Sequence, residues 1–317
     1  MKRLLIIDGQ NMFIRNYVMS PQLDINGSPI GGLTGFMRSL QKEVRRAKPD
    51  RVAICWEGPG GSQARREKNK NYKVGRKAPK LNREYEFTTP EEERENKYQQ
   101  VIRLTEYLDN LPVLQLAVEN VEADDVIAWL CHCNEYAEWQ KLIISNDKDF
   151  IQLCDDKTVL VRPGKNEEVL NMNGVLEQYS IHPRNFAWAR AITGDKSDNL
   201  EGVKGLGLAT VAKRFSFLSE SKDYGLQDIL THAKNNNSKI KAYQNVLDNE
   251  EIIASNYEIM QLYTSTISSQ GVNKLKYALK NDGVVLNRSE IRKMLLKDGI
   301  GTLNIDDLML ILNSHKK

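Results

Sequence analysis

The first half of the chain alternates short apolar runs with segments of helical periodicity, and this pattern limits the possible folds more than any other feature. The apolar runs have three to six residues, as expected of strands buried on both faces. Because strands that alternate with helices pair in parallel, we predict an α/β fold with a parallel sheet flanked by helices. The predicted strands are 4–7, 52–56, 113–118, 142–145 and 159–161, and the predicted helices are 33–47, 98–111 and 124–136.

After about residue 175 the strand-like runs stop, and only helical patterns follow. We therefore predict an α/β domain over 1–175 and a helical region over 176–317. A glycine-rich segment, 194–207, separates the first two helices of that region. The predicted helices are 184–193, 207–218, 226–234, 250–264 and 288–297.

Composition excludes several classes of protein. A mean hydropathy of −0.52 argues against a membrane protein, and 40% hydrophobic residues argue against a disordered chain. The four apolar residues near the N-terminus are too few for a signal peptide. The four cysteines lie in apolar segments, which favours a reduced, cytoplasmic protein. We interpret Cys131-His132-Cys133 as core rather than as a zinc site, because no second ligand pair exists.

Carboxylates follow three of the predicted strands at the point where each strand ends. Asp8 follows the first strand, Glu57 the second and Asp147 the fourth. The carboxyl ends of parallel strands share one edge of the sheet, where ligands bind, so we expect these side chains to lie close together. Further acids in the sequence are Glu122, Asp124, Asp125, Asp149, Asp195 and Asp198.

Each acid also has a purely structural interpretation, because the pairs within 124–125, 147–149 and 195–198 suit a helix N-terminus or a turn. Gathered at one site, however, nine carboxylates would repel one another unless cations neutralised them. Oxygen ligands select hard ions such as Mg²⁺ or Mn²⁺. Two such ions can clamp a scissile phosphate and activate a water molecule, so the pattern predicts phosphodiester hydrolysis.

The segment from 62 to about 100 changes charge abruptly. Residues 62–83 contain nine Lys or Arg and one acid, whereas residues 84–95 contain six acids and one Arg. A charged connection of this length is usually functional or disordered. Its basic half would attract a nucleic-acid backbone through counterion release.

Taken in order, these motifs resemble the 5′ nuclease superfamily, which includes phage flap nucleases, the phage RNase H and the 5′-nuclease domain of bacterial DNA polymerase I. The similarity covers roughly residues 3–265 and extends to an arginine followed by a Tyr-Lys-x-x-Arg element, Arg65 with 72–76. The other matching motifs are Ile-Ile-Asp-Gly at 6–9, Val-Glu-Ala-Asp-Asp at 121–125, Ser-Asn-Asp-Lys-Asp at 145–149 and Thr-Gly-Asp-Lys-Ser-Asp-Asn at 193–199, which runs into Gly-Val-Lys-Gly-Leu-Gly at 202–207.

The resemblance implies a PIN-like 5′ nuclease fold and two bound Mg²⁺ ions, with Mn²⁺ as a substitute. The charged stretch at about 62–100 would form a helical arch for single-stranded 5′ ends. The implied ligands are Asp8, Glu57, Glu122 and Asp124 for one ion, and Asp147, Asp149, Asp195 and Asp198 for the other, with Asp125 as a further acid near the Glu122–Asp124 pair.

The resemblance also implies the nucleic-acid contacts. Lys73 and Arg76 match cations that reach the scissile phosphate, and together with Asp147 they form the predicted catalytic set. Tyr72 would stack on a base or pack in the core, two alternatives that the sequence leaves open. A helix–three-turn–helix at about 184–218 would grip the duplex backbone and hold K⁺. The predicted nucleic-acid contacts are Arg65, Tyr72, Lys73, Arg76, Arg190, Gly202, Lys204, Gly205, Gly207 and Lys213.

Two departures from the family pattern are present. Glu57 replaces the usual aspartate at the second strand end, which puts the ion spacing and the rate in question. The lysine or arginine that commonly follows the hairpin is replaced by Leu208-Ala209-Thr210, so Arg190, Lys204 and Lys213 are the candidates for that phosphate contact.

We therefore expect a metal-dependent, structure-specific nuclease that removes 5′ flaps and 5′ ends of DNA or RNA–DNA duplexes during replication in a bacterial or phage-infected cell. We expect a free-standing, monomeric protein that works with replication proteins such as a sliding clamp or a single-strand binding protein. Two alternatives remain open: a PIN-like ribonuclease, and a DNA-junction binding protein that has lost catalysis, for which Glu57 is the one favourable feature.

Overall fold

The computed structural model describes residues 1–75, 89–236, 240–264, 266–280, 286–300, 303 and 305–314. Its centre is a six-stranded sheet in the order β3-β2-β1-β4-β5-β6. The first five strands pair in parallel and β6 is antiparallel to β5. The strands are β1 (Arg3–Asp8), β2 (Arg51–Cys55), β3 (Leu114–Leu116), β4 (Gln140–Ile144), β5 (Thr158–Arg162) and β6 (Glu168–Leu170).

Fourteen helices surround this sheet within the described residues. Shorter 3₁₀ turns include Asp149–Leu153 and Ser216–Ser219. The helices are α1 (Gly9–Met19), α2 (Gly31–Ala47), α3 (Gln63–Lys68), α4 (Pro90–Asp109), α5 (Ala123–His132), α6 (Met172–Tyr179), α7 (Pro183–Thr193), α8 (Leu208–Arg214), α9 (Leu226–Asn236), α10 (Lys241–Asp248), α11 (Glu250–Met260), α12 (Ser269–Lys280), α13 (Arg288–Lys297) and α14 (Asp306–Ser314).

The predicted parallel α/β sheet is confirmed, with all five predicted strands present. The antiparallel strand β6 was not predicted, because three residues carry too little pattern. Helix α4 begins at Pro90, eight residues before the predicted start at 98. Thr89 is its N-cap and forms a capping box with Glu92. The predicted helix at 207–218 is α8 followed by a 3₁₀ turn. Residues 76–88 of the predicted arch lie outside the described residues.

The sheet is buried on both faces by two separate cores. Leu4 and Ile6 of β1 face a core shared with α5, α7 and α11, whereas Leu5 and Ile7 face a core shared with α1, α2 and α4. Alternate residues of a strand point to opposite faces, which is why this strand is apolar throughout. The first core includes residues from both sides of the predicted boundary at 175. Helices α13 and α14 pack into the second core.

The order in which successive strands are added to the sheet reverses at β1, and this reversal positions the site. β2 and β3 lie to one side of β1, and the chain then crosses to place β4 on the other side. In such a sheet the crevice at the carboxyl ends of the two diverging strands is the expected ligand position. Among the described residues, no helix combines the length and apolar character required to cross a membrane.

Candidate active site

A cavity of about 480 Å³ opens at the carboxyl edge of the sheet. Asp8 ends β1, and Glu57 and Asp147 follow its two neighbours, β2 and β4. The three strand-end acids therefore border the same cavity, together with acids from later segments. It is lined by six carboxylates, Asp8, Glu57, Glu122, Asp124, Asp147 and Asp198, and by Gln10, Asn11, Ile14, Arg15, Lys73, Ala123 and Asn146.

Asp8 lies at the centre of this edge and is buried. One carboxylate oxygen caps α1 by accepting the Asn11 N–H at 3.0 Å, and the other accepts the Ser145 hydroxyl at 2.8 Å. Burial raises the pKa of Asp8 to about 6, and these two hydrogen bonds offset only part of the effect. The ionised side chain is thus held in place but not neutralised.

Asp124 and Asp149 are also poorly compensated. Burial and the neighbouring Asp147 raise the pKa of Asp124 well above its ordinary value. Burial and Asp147 likewise raise the pKa of Asp149 to about 7, although Arg190 opposes them. Asp149 lies in a small cleft that also contains Asp124 and Asp198, next to the main cavity. Its backbone N–H donates to the Asp147 carboxylate at 2.8 Å.

A buried arginine pairs with both Glu122 and Asp125, although burial still leaves the pKa of Asp125 above its ordinary value. The Arg65 guanidinium pairs with Glu122 and lies 3.2 Å from an oxygen of Asp125. The Lys73 ammonium donates to Glu122 at 2.8 Å, and the Tyr72 hydroxyl donates to it at 3.1 Å. Burial raises the pKa of Glu122, but Arg65 and Lys73 outweigh burial and leave the pKa below its ordinary value.

A second buried arginine, Arg190, pairs with Asp149 and Asp195. Arg190 of α7 is buried, and its Nε donates to Asp149 at 2.9 Å while its guanidinium also pairs with Asp195. Asp195 additionally accepts the backbone N–H and the hydroxyl of Ser197, each at 2.7 Å. Burial raises the pKa of Asp195, but the bonds to Ser197 and Arg190 prevail and lower it.

These contacts bear on two of the predicted nucleic-acid residues. Arg65 and Arg190 were both predicted to contact nucleic acid, yet each is buried in ion pairs with two carboxylates. A phosphate contact by either side chain would require those pairs to open. Tyr72 is 3% exposed and packs beside Leu200, Ile259 and Met260, which is the arrangement of its core alternative. Arg76 lies outside the described residues.

The donor set suits hard divalent cations. Every carboxylate around the cavity supplies oxygen, and among the described residues Asp8 and Asp124 have no cationic partner in direct contact. In the described part of the chain, no three carboxylate, imidazole or thiol groups stand close enough to enclose one ion directly. Mg²⁺ retains several of its waters when bound, so this open spacing fits ions held partly through water.

Four polar side chains of the cavity were missed by the sequence analysis. Gln10, Asn11 and Arg15 belong to α1, and Asn146 follows β4. Helix α1 was not predicted, because it begins immediately after β1 and its first turn is polar. Recognising that helix would have placed Asn11 and Arg15, four residues apart, on one face beside Asp8.

The predicted hairpin lies between α7 and α8. Asp195 and Leu200 pair through two backbone hydrogen bonds of 2.9 and 2.8 Å, and a Cβ on Gly202 would lie 2.0 Å from the Thr193 carbonyl oxygen. Glycine is therefore required at 202 for close backbone packing. Lys204, Gly205, Gly207 and Lys213 are exposed.

Comparison with known proteins gives consistent results. Residues 3–180 match the family described as 5′-3′ exonuclease, N-terminal resolvase-like domain. A 5′-3′ exonuclease of Aquifex aeolicus is 26% identical over 300 residues, 94% of this chain and 91% of that protein. A thermostable DNA polymerase I of Thermus aquaticus is 32% identical over 212 residues, 67% of this chain, which spans about a quarter (23%) of the polymerase.

Structural similarity extends over almost the whole chain. A bacteriophage T5 flap endonuclease, solved as a pseudo-enzyme–product complex with DNA and metal ions, superposes with a TM-score of 0.64 at 19% identity. The match covers 94% of this chain and 100% of that one, which shows the shared fold. Fold, cavity and relatives together identify a nuclease. The chain belongs to the 5′-3′ exonuclease family, and the predicted membership of the 5′ nuclease superfamily is confirmed.

Proposed function

We propose that the chain hydrolyses phosphodiester bonds of 5′ flaps and 5′ ends in DNA or RNA–DNA duplexes with the help of two divalent ions. The observation that carries this proposal is the cavity at the carboxyl edge of the sheet, around which six carboxylates gather. The T5 relative, which was solved with DNA and metal ions, supports the choice of substrate and cofactor.

Mg²⁺, or Mn²⁺ in its place, would be held by the cavity carboxylates together with Asp149. Bound ions of this type activate water and stabilise the charge that develops on the scissile phosphate. The protein itself supplies orientation. Arg65 fixes Glu122 and Asp125, and Arg190 fixes Asp149 and Asp195, so that the acids keep their positions when no ion is bound.

Lys73 is the described cation best placed to meet the scissile phosphate. Its side chain lines the cavity and is 17% exposed, and its ammonium donates to Glu122 at 2.8 Å. Its backbone adopts a positive φ of 56° and donates to the Asp198 carbonyl at 2.9 Å. We propose that the ammonium leaves Glu122 for the phosphate when substrate enters, where it offsets negative charge in the transition state.

The glycine-rich hairpin would hold the duplex, with Lys204 and Lys213 supplying charged contacts to the backbone. A K⁺ ion at the hairpin and contacts with other replication proteins stay predictions from the family resemblance.

The decisive experiment is cleavage of a 5′-labelled flap duplex in Mg²⁺, with Ca²⁺ and EDTA as controls. Asp147→Asn keeps the size of the side chain and removes one carboxylate from the cavity. We expect the wild type to cut near the flap junction only with Mg²⁺ or Mn²⁺, and the variant to bind without cutting. Flap binding without cleavage by the wild type in either ion would instead favour the binding protein, and cleavage of single-stranded RNA alone would favour the ribonuclease.

A further inference from the structure

The loop between α7 and α8 has an asymmetric pattern of backbone hydrogen bonds. Two of its carbonyl oxygens accept side-chain amides from helices behind it. Asn256 of α11 donates to the Glu201 carbonyl at 2.8 Å, and Asn245 of α10 donates to the Lys204 carbonyl at 3.0 Å. In contrast, the backbone N–H groups of Gly205 and Gly207, both exposed, have no hydrogen-bond partner within the described part of the chain.

Peptide geometry links these two observations. The Lys204 carbonyl and the Gly205 N–H belong to one planar trans peptide unit, in which the two groups point in opposite directions. Because Asn245 draws the carbonyl toward α10, the Gly205 N–H is directed away from α10. Gly205 has a φ of +83°, and a Cβ added there would meet no atom within 4 Å. Outward N–H groups in such a loop form a concave site for an anion.

Asn256 ties the middle of the loop to the end of α7. Its side chain is 3% exposed, and its amide also donates to the Ala191 carbonyl in the last turn of α7, at 3.0 Å. One buried amide group thus joins the end of α7, the middle of the loop and α11. A buried amide that satisfies two carbonyls costs little to bury, whereas removing it leaves both carbonyls unsatisfied.

We propose that Asn245 and Asn256 are positioning residues for nucleic-acid binding. They hold the loop carbonyls inward, so that its N–H groups are presented to a phosphate of the duplex backbone. The proposal rests on the function proposed above, because it assigns the hairpin to duplex binding. It adds two residues from α10 and α11, which touch the loop and not the nucleic acid.

The test compares Asn256→Leu and Asn245→Leu, which remove the amide donors, with Asn245→Gln, which retains one. Asn185→Leu is the matched control, because Asn185 is a buried asparagine of α7 whose amide donates to the carbonyls of Leu218, Glu220 and Lys222, away from the glycine-rich loop. Binding of a fluorescent duplex and of the same single strand is measured in Ca²⁺ over a range of salt concentrations, and thermal unfolding checks that each variant is folded.

We expect each leucine variant of Asn245 and Asn256 to weaken duplex binding about tenfold, the effect of one or two net hydrogen bonds. Single-strand binding and the kcat for a saturating flap should stay within about twofold, and Asn245→Gln should bind like the wild type. The salt dependence should not change, because a neutral N–H contact releases no counterions.

Two results would overturn the proposal. Either folded Asn256→Leu and Asn245→Leu bind duplex like the wild type, or Asn185→Leu loses duplex affinity as strongly as they do. A wild type that does not prefer duplex over single strand would instead refute the proposed role of the hairpin in the function itself.

Discussion

The acids of this site fall into two groups that differ in how their charge is compensated. Glu122 lies against Arg65 and Lys73, and its pKa is below the ordinary value. Within the described ranges Asp8 accepts hydrogen bonds only from neutral donors, and its pKa is raised to about 6. Arg65 thus makes Glu122 part of the folded framework. Asp8 destabilises the metal-free protein, and a bound cation would relieve that cost.

The largest effect on stability is expected when Glu122 and Asp125 lose Arg65, the cation that they share. Replacing Arg65 by Met leaves Glu122 and Asp125 buried with only part of their partners. Breaking a buried ion pair from one side costs about 3–5 kcal/mol, so we expect the free energy of unfolding in urea to fall by this amount. Arg66→Met, at the exposed next position of α3, is the control. Equal stability of the two variants would show that Arg65 does not compensate these acids.

Replacing Asp8, which has no compensating cation among the described residues, is expected to raise the stability of the protein rather than lower it. Asp8→Asn keeps the shape of the side chain and can still accept the Asn11 N–H. The pKa of Asp8 rises from 3.8 to about 6, so ionising it in the folded protein costs about 3 kcal/mol more than in the unfolded chain. In EDTA at pH 7.5 we therefore expect Asp8→Asn to be more stable than the wild type by up to this amount. Asp156→Asn, at an exposed position outside the cavity, should change little.

The pH dependence identifies charge as the cause. A folded-state pKa that is raised means that the folded protein binds more protons, so stability decreases as the pH rises from about 4 through 6. The advantage of Asp8→Asn should consequently shrink as the pH is lowered from 7.5 to 5. An advantage that is constant across this range would contradict the electrostatic explanation. Saturating Mg²⁺ should reverse the order, because it stabilises the protein that binds it more tightly.

The same comparison explains what the sequence could predict. Strands buried on both faces are continuous apolar runs, and Asp8, Glu57 and Asp147 directly follow such runs, so their shared edge could be derived from parallel pairing. The charge partners could not be derived in this way. Arg65 and Glu122 are 57 positions apart and Arg190 and Asp149 are 41 apart, and only the packed helices bring them together.

The sequence consequently suggested a different role for both arginines. A cation near an acidic motif is equally consistent with a phosphate contact and with an internal ion pair, and the structure shows both arginines in internal ion pairs. Helix α1 was missed for a related reason, because its polar first turn shows no apolar periodicity although Asp8 caps it. Local pattern therefore located the acids, whereas long-range packing determined which of them are compensated.

The smallest effect is expected at Tyr72, which contacts both Glu122 and Leu200 of the hairpin. The hydroxyl donates to Glu122 at 3.1 Å, and the 3%-exposed ring packs with Leu200, Ile259 and Met260. Tyr72→Phe keeps the ring and removes one hydrogen bond to a carboxylate, so we expect a loss of about 1.5 kcal/mol in urea unfolding. Arg65 and Lys73 still compensate Glu122 in this variant, which is why the loss is smaller than for Arg65→Met.

Nucleic-acid affinity separates the two interpretations of this tyrosine. Because the ring is buried, it offers no face for a base, and Tyr72→Phe should bind a single-stranded 5′ overhang like the wild type. Tyr98→Phe, at a position that is 60% exposed on α4, controls for removal of a hydroxyl alone. Phenylalanine also stacks on bases, so Tyr72→Leu is added to remove the aromatic face. A loss of overhang affinity for Tyr72→Leu, with unchanged affinity for the duplex, would show that the ring leaves the core to stack on a base.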